Sequence, residues 1–185
     1  MMNKLIKTAF VSAVVYALAG ASVALAETTV CNGVIGPVKL DNIVVPDGAT
    51  CQLDGTRAKG SIKVLTQATL DANAVTVKGN IQGEGALTVD VSDSFVGGNV
   101  QIKQGNSANI NDVSIGGDLQ FDENDGPVNA TGNEIDGNLQ AVKNTGGLTI
   151  ARNTIRENLQ CKENNPPPVG GGNTAGDKED QCAGL

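Results

Sequence analysis

Asp71 and Asp90 stand 19 residues apart, and so do Asp93 and Asp112. If the chain folds so that residues one such interval apart lie side by side, each pair brings two carboxylates to roughly 5 Å. That is the separation at which a retaining glycosidase holds its acid and its nucleophile. The same pairs could share a proton or hold a cation. Little else in the sequence would help them. His is absent, which removes the commonest general base and the commonest metal ligand. No aromatic subsite or arginine clamp lies near either pair. In a chain with 20 acidic residues such coincidences are expected, so Asp71, Asp90, Asp93 and Asp112 stay weak acid-pair candidates. No catalytic residue is assigned, and a polysaccharide hydrolase ranks behind two non-enzymatic readings. The acidic segment Asp122-Glu123-Asn124-Asp125-Gly126 fits no EF-hand spacing and reads as a solvated turn with a glycine exit. No metal or cofactor is expected.

What would set those pairs side by side is a repeat. The copies Gly79-Asn80-Ile81-Gln82, Gly98-Asn99-Val100-Gln101, Gly117-Asp118-Leu119-Gln120 and Gly137-Asn138-Leu139-Gln140 are joined by Glu157-Asn158-Leu159-Gln160 and fainter versions at Asn42 and Ser61. Their starts are spaced 19, 19, 19, 19, 20 and 20 residues, the signature of a solenoid. Aligned copies give five apolar rows. The first two run Ile43, Ile62, Ile81, Val100, Leu119, Leu139, Leu159 and Val45, Val64, Gly83, Ile102, Phe121, Ala141, Cys161. The next two begin at Cys51 and Leu53, and the last at Ala58. Apolar residues two apart point to one side of a strand and the residue between them points away. No window keeps helical spacing. The expected fold is therefore all-β: a right-handed, single-stranded parallel β-helix with 19–20-residue coils and six to seven rungs. Its hand is taken from the general preference of parallel crossovers.

Three outward or corner rows follow from the same alignment. Asn42, Asn80, Asn99, Asp118, Asn138 and Asn158, with Ser61, form a corner row in which stacked amides can bond along the axis. The residues before them are mostly glycine, which suggests a turn with positive φ. Gln82, Gln101, Gln120, Gln140 and Gln160 extend Lys63 into a flat polar strip, a possible binding face for an extended glycan. Glycan sites usually recruit aromatic platforms too, and only Phe95 is a candidate exposed aromatic.

Residues 1–26 read as a secretory signal peptide, with Lys4 and Lys7 ahead of an apolar run and Ala24-Leu25-Ala26 as the cleavage site. Removing it leaves 11 basic against 20 acidic residues, a balance of −9. Such a surface repels nucleic acid and anionic lipid, and no basic cluster is visible to relieve it. No nucleic-acid partner and no membrane span in the mature chain are expected. The protein is placed outside the cytoplasm, secreted or in the cell envelope. There, four cysteines read as two disulfides. Cys31 and Cys51 are 20 residues apart and Cys161 and Cys182 are 21 apart, each close to one coil, so these are the expected pairs. They staple the two ends of a β-helix over 27–160. The Pro/Gly-rich tail at 161–185 serves as a cap in which proline stops further strand pairing.

The run from Asn42 to Cys51, copies such as Gly116-Gly117-Asp118-Leu119-Gln120, the ending Asn158-Leu159-Gln160-Cys161-Lys162-Glu163-Asn164 and the segment Lys178-Glu179-Asp180-Gln181-Cys182 together resemble a group of secreted bacterial parallel β-helix proteins with no settled activity. More loosely, the coil is similar to those of filamentous-haemagglutinin-type adhesins, which implies adhesion. The leading expectation is a rigid surface or envelope module that binds glycan or protein. A self-assembling, bactofilin-like filament is the alternative.

Overall fold

The computed structural model describes residues 26–185; the leader assigned to 1–26 lies outside them but for Ala26. The described residues form an all-β parallel solenoid of about eight turns, with three sheets of nine, eight and seven strands. One strand of each sheet is laid down per turn. In the first sheet Thr28–Val30 begins the stack and Asp177–Asp180 ends it; the second runs from Gly33–Ile35 to Val169–Gly171, and the third from Lys39–Leu40 to Thr154–Ile155.

Register follows the apolar rows. Ile43, Ile62, Ile81, Val100, Leu119, Leu139 and Leu159 are consecutive partners, each no more than 1% exposed. The rows through Cys51, Leu53 and Ala58 are likewise paired and buried. These columns merge into one hydrophobic core. A shift of one residue would turn each strand's apolar side chains to water, which is why the register is strongly specified.

The corners turn by a device the apolar pattern does not reveal. At two of the three corners of each coil a residue takes left-handed backbone: Gln67, Gly85, Gln104, Glu123, Lys143 and Glu163 between the first and second sheets, and Ala74, Asp93, Asp112, Gly132, Arg152 and Gly172 between the second and third. The residue that follows points inward. In early turns it is small or apolar, as at Ala68, Ala86, Val75 and Val113; in later turns it is asparagine, at Asn124, Asn144 and Asn164 on one corner and Asn133, Asn153 and Asn173 on the other. The first of these corners also lengthens by a residue. Ile102 and Ala108, the inward residues flanking it, are six apart, whereas Phe121 and Val128 are seven apart. This insertion changes the coil from 19 to 20 residues, and the asparagine fills the wider corner. Asp122–Gly126 is that corner, so it is no wholly solvated turn: Asn124 is 1% exposed.

Both ends depart from expectation. Residues 28–40 add a turn before Asn42, and the C-terminal tail adds another, which accounts for more turns than the six or seven expected. The tail does not stop pairing at the last repeat. Val169–Gly171 pairs with Thr149, Ile150 and Ala151, and Asp177–Asp180 pairs with the strand Asn158–Lys162. Pro168 is buried in the column of Leu148. In the equivalent position of an earlier turn, the Val128 N–H donates to Gly147 of the next turn, 3.0 Å away. Among the described residues the second sheet has no further strand, so the N–H that Pro168 lacks has no ladder bond to make. Beyond it Leu185 packs partly buried against the core, and the Lys178 Nζ donates to its carbonyl oxygen at 2.7 Å.

Candidate functional site

The corner row bonds along the axis, but through the backbone and not chiefly through stacked amides. The Asn42 Oδ1 accepts from the Ser61 N–H (3.0 Å), Ser61 Oγ from Asn80 (3.0 Å), Asn80 from Asn99 (2.7 Å), Asn99 from Asp118 (2.8 Å), Asp118 from Asn138 (2.8 Å) and Asn138 from Asn158 (3.1 Å). The glycines beside this row do not have positive φ. They are glycine because of close approach: a Cβ on Gly60, Gly98, Gly117 or Gly137 would overlap the Oδ1 of Asn42, Asn80, Asn99 or Asp118. The ladder oxygen occupies the place where a side chain would start.

The inner asparagines form two further ladders that the sequence reading missed. The Asn144 Oδ1 accepts from both the N–H and the Nδ2 of Asn124 (3.1 and 2.9 Å), while its own Nδ2 donates to the Phe121 carbonyl (3.1 Å) and to Asn164 Oδ1 (2.9 Å). Asn133, Asn153 and Asn173 repeat this on the other corner. Among the described residues no buried side-chain polar atom lacks a partner. The signal was available, since each set recurs every 20 residues.

On the outer face of the first sheet the glutamines pair in register. Gln82 donates to Gln101 (3.4 Å), Gln101 to Gln120 (2.9 Å) and Gln120 to Gln140 (3.2 Å), while Gln160 donates to Glu179 (2.9 Å). All five are half-buried. Bonding along the strip restrains each amide yet leaves a second N–H and a second lone pair on most of them. Three shallow depressions lie along it. One of about 440 Å³ is bordered by Asn42, Ser61, Lys63 and Gln82, another of about 440 Å³ by Lys63, Glu84, Gln101 and Lys103, and one of about 230 Å³ by Lys103, Gln120, Asp122 and Gln140.

Of the four paired acids, Asp90 has another partner and two others form corners. Asp71 and Asp90 are in register on the outer face of the second sheet, but Asp90 accepts from Asn109 Nδ2 at 2.6 Å, and Asn109 from Asn129 at 2.7 Å. Asp93 and Asp112 are exposed left-handed corner residues (φ 49° and 54°), a conformation Asp tolerates better than most. Glu123 in the acidic corner is held below the usual carboxylate range, first by a hydrogen bond from Gln104 and then by the charge of Lys143. Among the described residues no three His, Cys, Asp or Glu side chains converge as a metal site would need.

A basic cluster does exist, contrary to the sequence reading. Lys39 and Arg57 are register partners on the third sheet, and Lys59 and Lys78 flank them; together they line a depression of about 350 Å³. They are scattered over 40 residues of sequence and meet only because turns stack. Lys59 pairs with Asp41 at 2.9 Å. That hydrogen bond, then one from the Glu27 N–H, lowers the Asp41 pKa.

Disulfides join Cys31 to Cys51 and Cys161 to Cys182, with Cα separations of 5.5 and 5.2 Å, bridges that suit an oxidising compartment. Among the described residues no helix is long and apolar enough to cross a membrane. No family model matches the chain, and neither the curated proteins nor the solved structures give a match.

Proposed function

We propose that this is an exported, non-enzymatic, rigid module of the cell surface or envelope that binds an extended glycan along its glutamine face. The observation that carries the reading is the strip itself: restrained amides in register, one per turn, spaced about 4.8 Å apart and bordered by the shallow depressions. Donors fixed before binding cost little ordering entropy when a ligand arrives. The disulfides support placement outside the cytoplasm. The hydrolase reading has less support because Asp90 is engaged by Asn109 and Asp93 and Asp112 form corners. The filament reading has less support because the terminal strand of the first sheet, Asp177–Asp180, carries three acids and a lysine, a composition that discourages edge pairing.

A glycan array with the purified protein and its Gln101→Ala/Gln120→Ala variant tests this. Binding to one or more neutral glycans, weakened about tenfold in the variant, is expected. Binding unchanged by the substitutions, or none at all, would overturn the assignment, and turnover of any polysaccharide would replace it.

A further inference from the structure

Charge is divided unevenly along the axis. Residues 26–80 carry five basic and five acidic side chains; residues 81–185 carry six and fifteen, a balance of −9. Four of the five early cations, Lys39, Arg57, Lys59 and Lys78, lie together on the third face. Among the described residues Lys39, Arg57 and Lys78 form no ion pair, and all four are exposed. The row of Lys39 and Arg57 continues through Thr76 to Phe95, 45% exposed, then Ser114 and the acidic Glu134. The basic stretch therefore has an aromatic at one end and an acidic boundary beyond it. From Lys39 to Phe95 is three turn spacings, roughly 14 Å at about 4.8 Å each.

We propose that this face binds an acidic polysaccharide, its carboxylates or sulfates on Arg57, Lys39 and Lys78 and a sugar ring on Phe95. Cations recurring once per turn suit a polymer with one anion per sugar, and the Arg57 guanidinium suits bidentate carboxylate or sulfate. Lys59, tethered by Asp41, sets the edge of the groove. A duplex nucleic acid carries one charge per about 1.7 Å, nearly three for each turn spacing of about 4.8 Å. That is more than one cation per turn can match, and the duplex therefore meets the stronger repulsion from the acidic remainder of the molecule. The proposal shares the glycan-binding reading above but rests on a different face.

The test is retention of the purified protein on immobilised polygalacturonate and heparin, with neutral dextran and duplex DNA for comparison. The unaltered protein should be held at low salt. Arg57→Glu/Lys78→Glu should weaken binding about tenfold or more, and the equally charged Lys143→Glu/Lys162→Glu by no more than about twofold. Phe95→Ala should weaken it about threefold without changing the salt dependence. Gln101→Ala/Gln120→Ala should leave it intact. No retention, equal loss in both charge-reversed proteins, or preference for DNA would overturn the proposal. Neutral-glycan binding without polygalacturonate binding would sink this site and leave the glutamine face standing.

Discussion

A methyl group at Gly98 would fall on the oxygen that receives the Asn99 N–H. Gly98→Ala should therefore destabilise the protein by about 1–3 kcal/mol, the cost of displacing a part-buried hydrogen bond. Gly184→Ala, which meets nothing within 4 Å, should be near neutral. Removing the obstructing oxygen as well, in Asn80→Ala/Gly98→Ala, should cost less than the two changes summed, a coupling that urea denaturation can measure. A second outcome at this scale concerns Asp41, whose depressed pKa depends first on Lys59. A carboxylate lowered on folding contributes stability above its unfolded pKa and loses it as pH falls through the folded one. The difference in stability between wild type and Lys59→Met should thus be present at neutral pH, begin to decline near about pH 4 and vanish only as pH falls through the lowered pKa of Asp41. It should be small, because Lys59 is largely exposed.

Each corner is an element in its own right, and the asparagine ladders are what hold the later ones. Asn144→Ala would strip acceptors from two donors of Asn124 and a donor from Phe121, at a cost of about 2–4 kcal/mol by denaturation. Asn124→Ala, at the start of its ladder, leaves a single donor bare, the Gly105 N–H, and removes a donor from the Ile102 carbonyl, so it should cost somewhat less. The strands were legible in the sequence because inward residues alternate with outward ones and recur at a fixed interval, so Ile81, Val100 and Leu119 declare their own column. The corners were not. Their left-handed residues include Gln67, Ala74, Asp93, Glu123 and Arg152, which share no chemistry; what they share is backbone shape. The cysteine pairs were readable from spacing, since one coil is one bridge.

Over the whole molecule, stability is a sum over neighbouring turns. Cys31→Ser/Cys51→Ser or Cys161→Ser/Cys182→Ser should each cost about 3 kcal/mol on the chain-entropy account. Hydrogen exchange should rise in the outermost turn at that end and remain unchanged near Val100–Leu119. The basic face escaped the sequence reading for a reason of the same scale: a net charge describes a chain, whereas Lys39, Arg57 and Lys78 become neighbours only through winding.

The two bridges also bear on how the molecule would respond to tension. A pull on its two chain ends would unwind an uncrosslinked coil from the outside, releasing a turn's length at each step. Here the loops closed by Cys31–Cys51 and Cys161–Cys182 withhold the slack of the outermost windings. The first length to be paid out must come from further in, where each winding is held by neighbours on both sides, and a tethered molecule would stay short until that interior gives way.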